Sequence, residues 1–252
     1  MTYKLTNTSQ PADPYYGAVS LLLHGDGADG STQIIDSSPN PKTVTAVGDA
    51  QISTTESKFN GSSLKFDGTG DYLTSPNNTG FSFGAEDFTI EVWFYIAGNS
   101  SLGTLTNTRT GSIISTESDA VPLDNYEGWI LFVNGDASTT GTAISFIRRV
   151  GGGNAPTSIT YTATITQSSW HHVAVTRSAS SLRLFFNGSI VASDLSFTGS
   201  VNSSGVPLKI ARRGFISGLE GELNGYIDDL RITKGVARYT SNFTPPGSLP
   251  TF

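Results

Sequence analysis

The sequence predicts an all-β protein, a two-sheet antiparallel β-sandwich, and three observations carry that prediction. Of 252 residues only 14% are charged while glycines number 28, and Ser, Thr and Asn are abundant, a balance that builds strands and tight turns rather than helices. Short apolar segments recur along the chain, each bounded by Gly, Asn, Asp or Pro. No segment sustains a helical apolar period, and the spacing has no fixed repeat, which disfavours solenoids and propellers. The length suits one large sandwich whose core needs no metal or disulfide to hold it.

Residues 1–16 read as an extended polar arm, because the prolines in Gln10-Pro11-Ala12-Asp13-Pro14-Tyr15-Tyr16 push their predecessors out of the α region. Residues 17–252 read as the sandwich. Its first strand is the apolar run Ala18–His24, which enters the Gly-rich loop Gly25-Asp26-Gly27-Ala28-Asp29-Gly30. Strands follow at Thr43–Val47, Ala50–Ser53, Ser63–Phe66, Tyr72–Ser75 and Phe88–Ile96. In the last of these, Ile90, Val92 and Phe94 share one face while Glu91, Trp93 and Tyr95 share the other. Large side chains on both faces mark a central strand with one side on the core and the other lining a groove or lying under a loop. The second half supplies Gly111–Ser115, Trp129–Asn134, Ala143–Val150, Thr157–Ile165, His171–Arg177, Leu182–Asn187, Ser189–Ala192, Leu208–Arg212 and Tyr226–Thr233. Asn187-Gly188 between two of them tolerates positive φ at both positions and predicts a two-residue type I′ hairpin. The tail Phe243-Thr244-Pro245-Pro246-Gly247 stops sheet formation and is expected to pack back across the sandwich.

Charge and composition exclude several functions. Lys and Arg total 15 against 21 Asp and Glu, for a net charge of −6. No basic cluster exceeds the pairs Arg148-Arg149 and Arg212-Arg213, which read as solvated strand ends. Nucleic acid is therefore not expected as the main partner. The lack of cysteine removes disulfides and thiol catalysis. No run of about 18 apolar residues occurs, and the start Met1-Thr2-Tyr3-Lys4-Leu5 has no signal-peptide core, so neither membrane insertion nor classical secretion is expected.

Five landmarks in order resemble the laminin-G-like, concanavalin-A-like jelly roll: Leu64-Lys65-Phe66-Asp67-Gly68, Phe88-Thr89-Ile90-Glu91-Val92-Trp93, Trp170-His171-His172-Val173-Ala174, Leu184-Phe185-Phe186-Asn187-Gly188 and Gly225-Tyr226-Ile227-Asp228-Asp229-Leu230-Arg231-Ile232. The resemblance spans roughly residues 19–246 and implies a fold that hosts lectins, glycosidases and scaffolds alike. Two further stretches, Asp13-Pro14-Tyr15-Tyr16 leading into Leu21–Gly27 and Thr233–Thr240 leading into Phe243-Thr244-Pro245-Pro246, resemble the version of this domain in phage structural proteins.

Chemistry narrows the choice. A glycosidase on such a sheet needs carboxylates at alternating positions flanking the sugar. Only Glu117-x-Asp119 and Glu220-x-Glu222 have that spacing, and both lack the apolar flanks of a central strand, so no catalytic residue is expected. His171 and His172 point to opposite faces of a strand and do not chelate one ion. One is expected to pack beside Trp170 or a neighbouring strand, and the other to be half exposed. Calcium is a better candidate, because the loop Gly25–Gly30 offers carboxylates and carbonyls, and Asp228 shares a face with Leu230 and Ile232, where a carboxylate must be paired or metal-bound. The resemblance places the ion between Asp26 and Asp228, with Asp67 or Asp71 as alternates. Among the aromatics that could stack on a sugar, the loop Asp124-Asn125-Tyr126-Glu127-Gly128-Trp129 is the least core-like, making Tyr126 and Trp129 the expected ligand-binding pair. The expected function is a non-enzymatic virion component, a capsid decoration or a tail or fibre module, anchored by residues 1–16 to other virion proteins, with a homotrimer as an expected form in a symmetric particle. The alternatives are a secreted or surface adhesin for host polysaccharide, and a polysaccharide hydrolase.

Overall fold

The computed structural model describes residues 12–97, 111–117, 127–135, 142–150, 156–163, 165–203, 205–213 and 221–250. Its strands are β1 (Val19–Leu23), β2 (Gln33–Ile34), β3 (Val44–Val47), β4 (Gln51–Ser53), β5 (Ser63–Asp67), β6 (Tyr72–Ser75), β7 (Phe88–Ile96) and β8 (Ser112–Ser115). They continue as β9 (Glu127–Gly135), β10 (Thr142–Val150), β11 (Thr157–Ala163), β12 (Trp170–Ser178), β13 (Ser181–Phe186), β14 (Ser189–Asp194), β15 (Leu208–Ile210) and β16 (Asn224–Lys234). The helical pieces among the described residues are two single 3₁₀ turns, Tyr16–Ala18 and Thr79–Phe81.

Every named pairing is antiparallel, and two sheets of eight strands stack face to face. One sheet runs β14-β13-β12-β7-β16-β5-β4 with β1 joining β16; the other runs β11-β10-β9-β8-β15-β6-β3-β2. The predicted strands are all present, with ends shifted by a residue or two. The two-residue β2 gave too short a pattern to read. Asn187 and Gly188 have φ of 49° and 81°, as the type I′ hairpin requires. A Cβ on Gly188 would also lie 1.9 Å from the Phe243 carbonyl oxygen, so the tail lies directly on this turn.

Alternation along β7 sorts the interior from the outer face. Ile90, Val92, Phe94 and Ile96 join the main core with Leu21, Leu23, Phe88, Trp129, Phe146, Ile227 and Leu230. Thr89, Glu91, Trp93 and Tyr95 face away from it, the first two onto the C-terminal segment 236–239 and the last two beside residues 56–59. The tail crosses the sheet as expected: Tyr239 and Phe243 stack at 3.5 Å, and the Phe243 amide donates to the Gly188 carbonyl at 2.8 Å. Leu249 packs with Val19 and Leu22 in a second, smaller apolar cluster, against which Tyr16 lies.

Three expectations need correction. The end of the N-terminal arm is docked: Asp13 is buried and bonded to Arg231 and Arg238, and the Tyr16 hydroxyl donates to the Ser37 carbonyl at 2.7 Å. Residues 1–11 lie outside the described residues. Asp228 does not share a face with Leu230 and Ile232, because the β16–β7 register slips between Asp228 and Arg231 and Asp229 takes a φ of 45°. This bulge inserts one residue and turns Asp228 to the outer face opposite Trp93, while Leu230 and Ile232 keep the core. The arginine pairs are not all solvated, since Arg149 and Arg213 converge on the buried Glu117.

Candidate functional site

The outer face holds an aromatic row set by strand register. Trp170 of β12 lies opposite Tyr95 of β7, Tyr95 opposite Tyr226 of β16, Tyr226 opposite Lys65 of β5, and Lys65 opposite Gln51 of β4. Ring centroids are 5.6 Å apart for both Trp170–Tyr95 and Tyr95–Tyr226, within the range of favourable aromatic pairs. Trp170 and Tyr95 are half-buried and Tyr226 is 9% exposed, so the row is supported from below yet reaches solvent. Glu56 lies 3.4 Å from the Tyr95 hydroxyl. Burial first, then the nearby charges of Glu56 and Tyr95, raises the Tyr226 phenol above its ordinary pKa and keeps it a hydrogen-bond donor. Beside the row, the Lys58 ammonium sits 4.0 Å from the Trp93 ring centre, with the Phe59 ring edge-on at 5.9 Å.

Behind Lys58 and Phe59 lies an acidic group at the bulge. Asp228 Oδ2 accepts the backbone amides of Lys58 and Phe59 at 2.9 and 3.0 Å, while its Oδ1 is buried without a hydrogen-bond partner. Burial, with the charges of Asp229 and Asp26 adding to it, outweighs those two amides and pushes the carboxyl up to about 7. Asp229 accepts from the Leu249 amide at 2.7 Å and meets His24 Nδ1 at 2.6 Å. Burial alone would lower the pKa of His24, but its bond to Asp229 and the Asp229 charge raise it. A pKa near 7 in a cleft would mark a candidate acid catalyst. Here Asp228 is 1% exposed beneath the Lys58–Phe59 loop, out of reach of a substrate.

The structure brings some of the expected site residues together and separates others. Asp26 joins the electrostatic surroundings of Asp228, and one of its oxygens accepts from Asn60 Nδ2 at 3.1 Å. Asp67 does not join them: it pairs with Asn224, several residues along β16, and caps a turn through the Thr69 amide at 2.7 Å. Asp71, its alternate, is spent on the amides of Asp49 and Asp67. Both Asp229 oxygens are already engaged. Among the described residues no group of three His, Asp or Glu is placed to hold a metal, and the donors around Asp228 fall short of the six to eight oxygens calcium takes. The residues therefore do not fit the expected ion.

Trp129 is not a surface platform. It is fully buried, stacks on Phe83 at 5.6 Å, and donates from Nε1 to the Phe81 carbonyl at 2.8 Å. Its period-2 neighbours Leu131 and Val133 share that core, a signal the polar residues just before it concealed. Tyr126 lies outside the described residues, as do Asp119 and Glu220. Glu117 is 1% exposed and clamped by Arg149 and Arg213, and Glu222 accepts the Gly70 amide at 2.7 Å and pairs with Arg212 at 3.4 Å. His172 is buried at 5.2 Å from Trp93, and His171 Nε2 donates to the Thr166 carbonyl at 2.9 Å.

A family model described as the concanavalin A-like lectin/glucanases superfamily matches residues 67–238, more than half of the chain. The chain belongs to that superfamily. Among solved structures, the botulinum neurotoxin serotype C1 binding domain is similar at 16% identity and a TM-score of 0.59, covering 88% of this chain and 50% of that one. The serotype G binding domain is similar at 16% identity and a TM-score of 0.58, covering 89% and 48%. This chain thus spans about half the length of those binding domains. Domain 4 of AbnA, an extracellular arabinanase from Geobacillus stearothermophilus solved with arabinotriose, matches at 16% identity and a TM-score of 0.55, covering 86% and 92%. At these identities the likeness establishes the fold. A comparison with curated protein sequences found no match. No helix among the described residues is long and apolar enough to cross a membrane.

Proposed function

We propose that this chain is a non-catalytic, glycan-binding sandwich module that uses the row Trp170–Tyr95–Tyr226 as its platform. The observation that carries this reading is the register itself: three aromatic rings from three adjacent strands, flanked by Glu56, Lys58, Lys65 and Gln51. Sugars offer apolar C–H faces and hydroxyl edges, and a partly exposed aromatic row with polar neighbours answers both. The solved neighbours named for binding, and the one holding arabinotriose, support the choice of ligand class. The two carboxylates with glycosidase spacing that lie among the described residues, Glu117 and Glu222, are tied into ion pairs, which supports binding without hydrolysis.

The setting this reading favours is a phage particle, where the module would decorate the capsid or sit on the tail, touching other virion proteins and host polysaccharide. Its support is the resemblance at the two ends of the chain. In the structure those stretches meet, Arg238 bonding Asp13 and lying over the Tyr15 ring, so a structural need also accounts for their pattern.

A glycan array probed with the intact chain and with Trp170→Ala tests the platform. Binding to neutral oligosaccharides should weaken at least tenfold in the variant, about 1.4 kcal/mol. Unchanged binding in a folded variant, or release of reducing ends by the intact chain, would overturn the reading.

A further inference from the structure

A second concavity lies at the end of the sandwich where β1 begins and β16 stops. It is a cleft of about 680 Å³ lined by residues 17–20, 39–42 and 78–80 and by Lys234. That volume falls within the usual range for small-ligand sites. From Tyr226 to Lys234 the strand rises roughly 26 Å, so the cleft is separate from the aromatic row.

Its walls carry two ammonium groups and no carboxylate. Lys42 Nζ donates to the Asn40 carbonyl at 2.9 Å and Lys234 Nζ to the Thr79 carbonyl at 3.2 Å. Each ammonium has three donors, so both keep capacity for a ligand. Lys42 has no ion pair among the described residues: Asp36, its acidic neighbour, spends its oxygens on the amides of Leu22, Ser38 and Lys42 and on the Ser38 hydroxyl. Burial lowers the Lys42 pKa despite Asp36, the sign of a cation whose desolvation is not fully offset. Lys234 has one acidic partner, Glu86 at 3.4 Å, whose side chain is 59% exposed and screened by water.

The rest of the wall is preformed and polar. The Asn78 side chain caps the turn at Thr79 by accepting the Gly80 amide at 2.8 Å. A Cβ on Gly80 would lie 2.8 Å from Ser20 Oγ, so that turn sits tightly on β1. Pro39 and Pro41 add rigid apolar surface beside the hydroxyl and amide groups of Ser20, Asn40 and Thr79. Two cations, several neutral hydrogen-bonding groups and small apolar faces match a sugar bearing a carboxylate better than a neutral sugar or an extended polyanion.

We propose that this cleft is a second binding site, in which Lys42 and Lys234 together take the carboxylate of an acidic saccharide. The proposal rests on the glycan-binding reading above and adds a separate site with its own ligand class. An NMR titration of the full chain with glucuronate, and in parallel with glucose, tests it. Glucuronate should shift the amides of Ser20, Lys42 and Gly80 and glucose should not, and the affinity should fall at least tenfold in both Lys42→Ala and Lys234→Ala. Equal response to the two sugars, no response to glucuronate, or retained affinity in the folded double lysine variant would overturn it. The two sites fail separately: a null glucuronate titration sinks the cleft, whereas an array on which Trp170→Ala changes nothing sinks the row.

Discussion

Two groups of buried carboxylates sit on the same outer face of the same sheet, and their electrostatics run in opposite directions. Glu91 on β7 is fully buried, yet Arg231 approaches it at 2.6 Å, the Tyr239 hydroxyl donates to it at 2.7 Å, and His172 Nε2 lies 3.5 Å away. Burial alone would raise its pKa, but Arg231, His172 and Tyr239 outweigh burial and hold the carboxyl at about 2. Asp13 extends this network to Arg231 at 3.0 Å and Arg238 at 2.8 Å. A few residues along β16, Asp228 has two amides set against burial and the charges of Asp229 and Asp26, and its carboxyl rises to about 7. The difference teaches that burial by itself does not decide an acid's role. The arginines supplied by β16 and the tail make one group a clasp, and their absence at the bulge leaves the other strained by its own charge.

The largest effect expected from this contrast is at Glu91. Glu91→Ala leaves Arg231 buried with only Asp13, and should cost about 3–5 kcal/mol of unfolding free energy in a denaturant titration. A loss under 1 kcal/mol would show that the clasp contributes little beyond packing. Next comes Asp13→Ala, which strips bonded partners from two arginines and should cost about 1.5–3 kcal/mol. The smallest change is at the other group, with opposite sign. Asp228→Asn keeps an acceptor for the Lys58 and Phe59 amides and removes the charge, so it should stabilise by on the order of 1 kcal/mol at pH 8, by less at pH 5 and by nothing measurable below about pH 4.

The pH dependence follows from the same signs. Asp228 binds its proton more tightly folded than unfolded, so stability falls as pH rises from the ordinary carboxylate range through about 7. Glu91 is the reverse, its contribution full above the ordinary glutamate range and lost as pH falls toward about 2. The intact chain should therefore be most stable in mildly acidic solution. Asp228→Asn should flatten only the decline toward alkaline pH, and an unchanged decline would locate the titrating group elsewhere.

Much of the fold was legible because strand spacing and turn chemistry are local. Phe88–Ile96 and the Asn187-Gly188 hairpin needed only alternation and two φ-tolerant residues. The bulge at Asp228–Asp229 was not legible, since one extra residue inverts an alternation and leaves no local mark beyond two acids on an apolar strand. That slip moved Asp228 to the outer face, where one of its oxygens meets the Lys58 and Phe59 amides. Tyr95 was read as sharing a face with Glu91 and Trp93, but alternation alone did not say which face meets the core. Its neighbours Trp170 and Tyr226 were hidden because cross-strand register is a long-range property. The same holds for Asp13 and Arg238, whose bond joins positions 225 apart in the chain.

That long-range bond has a mechanical consequence. Asp13 grips Arg238, and Leu249 nestles beside Val19 with Tyr16 close by, so the two ends of the described chain leave from adjoining spots. A pull on those ends should therefore reach the Leu249 and Asp13 contacts before the strand ladders, so the clasp should act as a fuse for the sandwich beneath it.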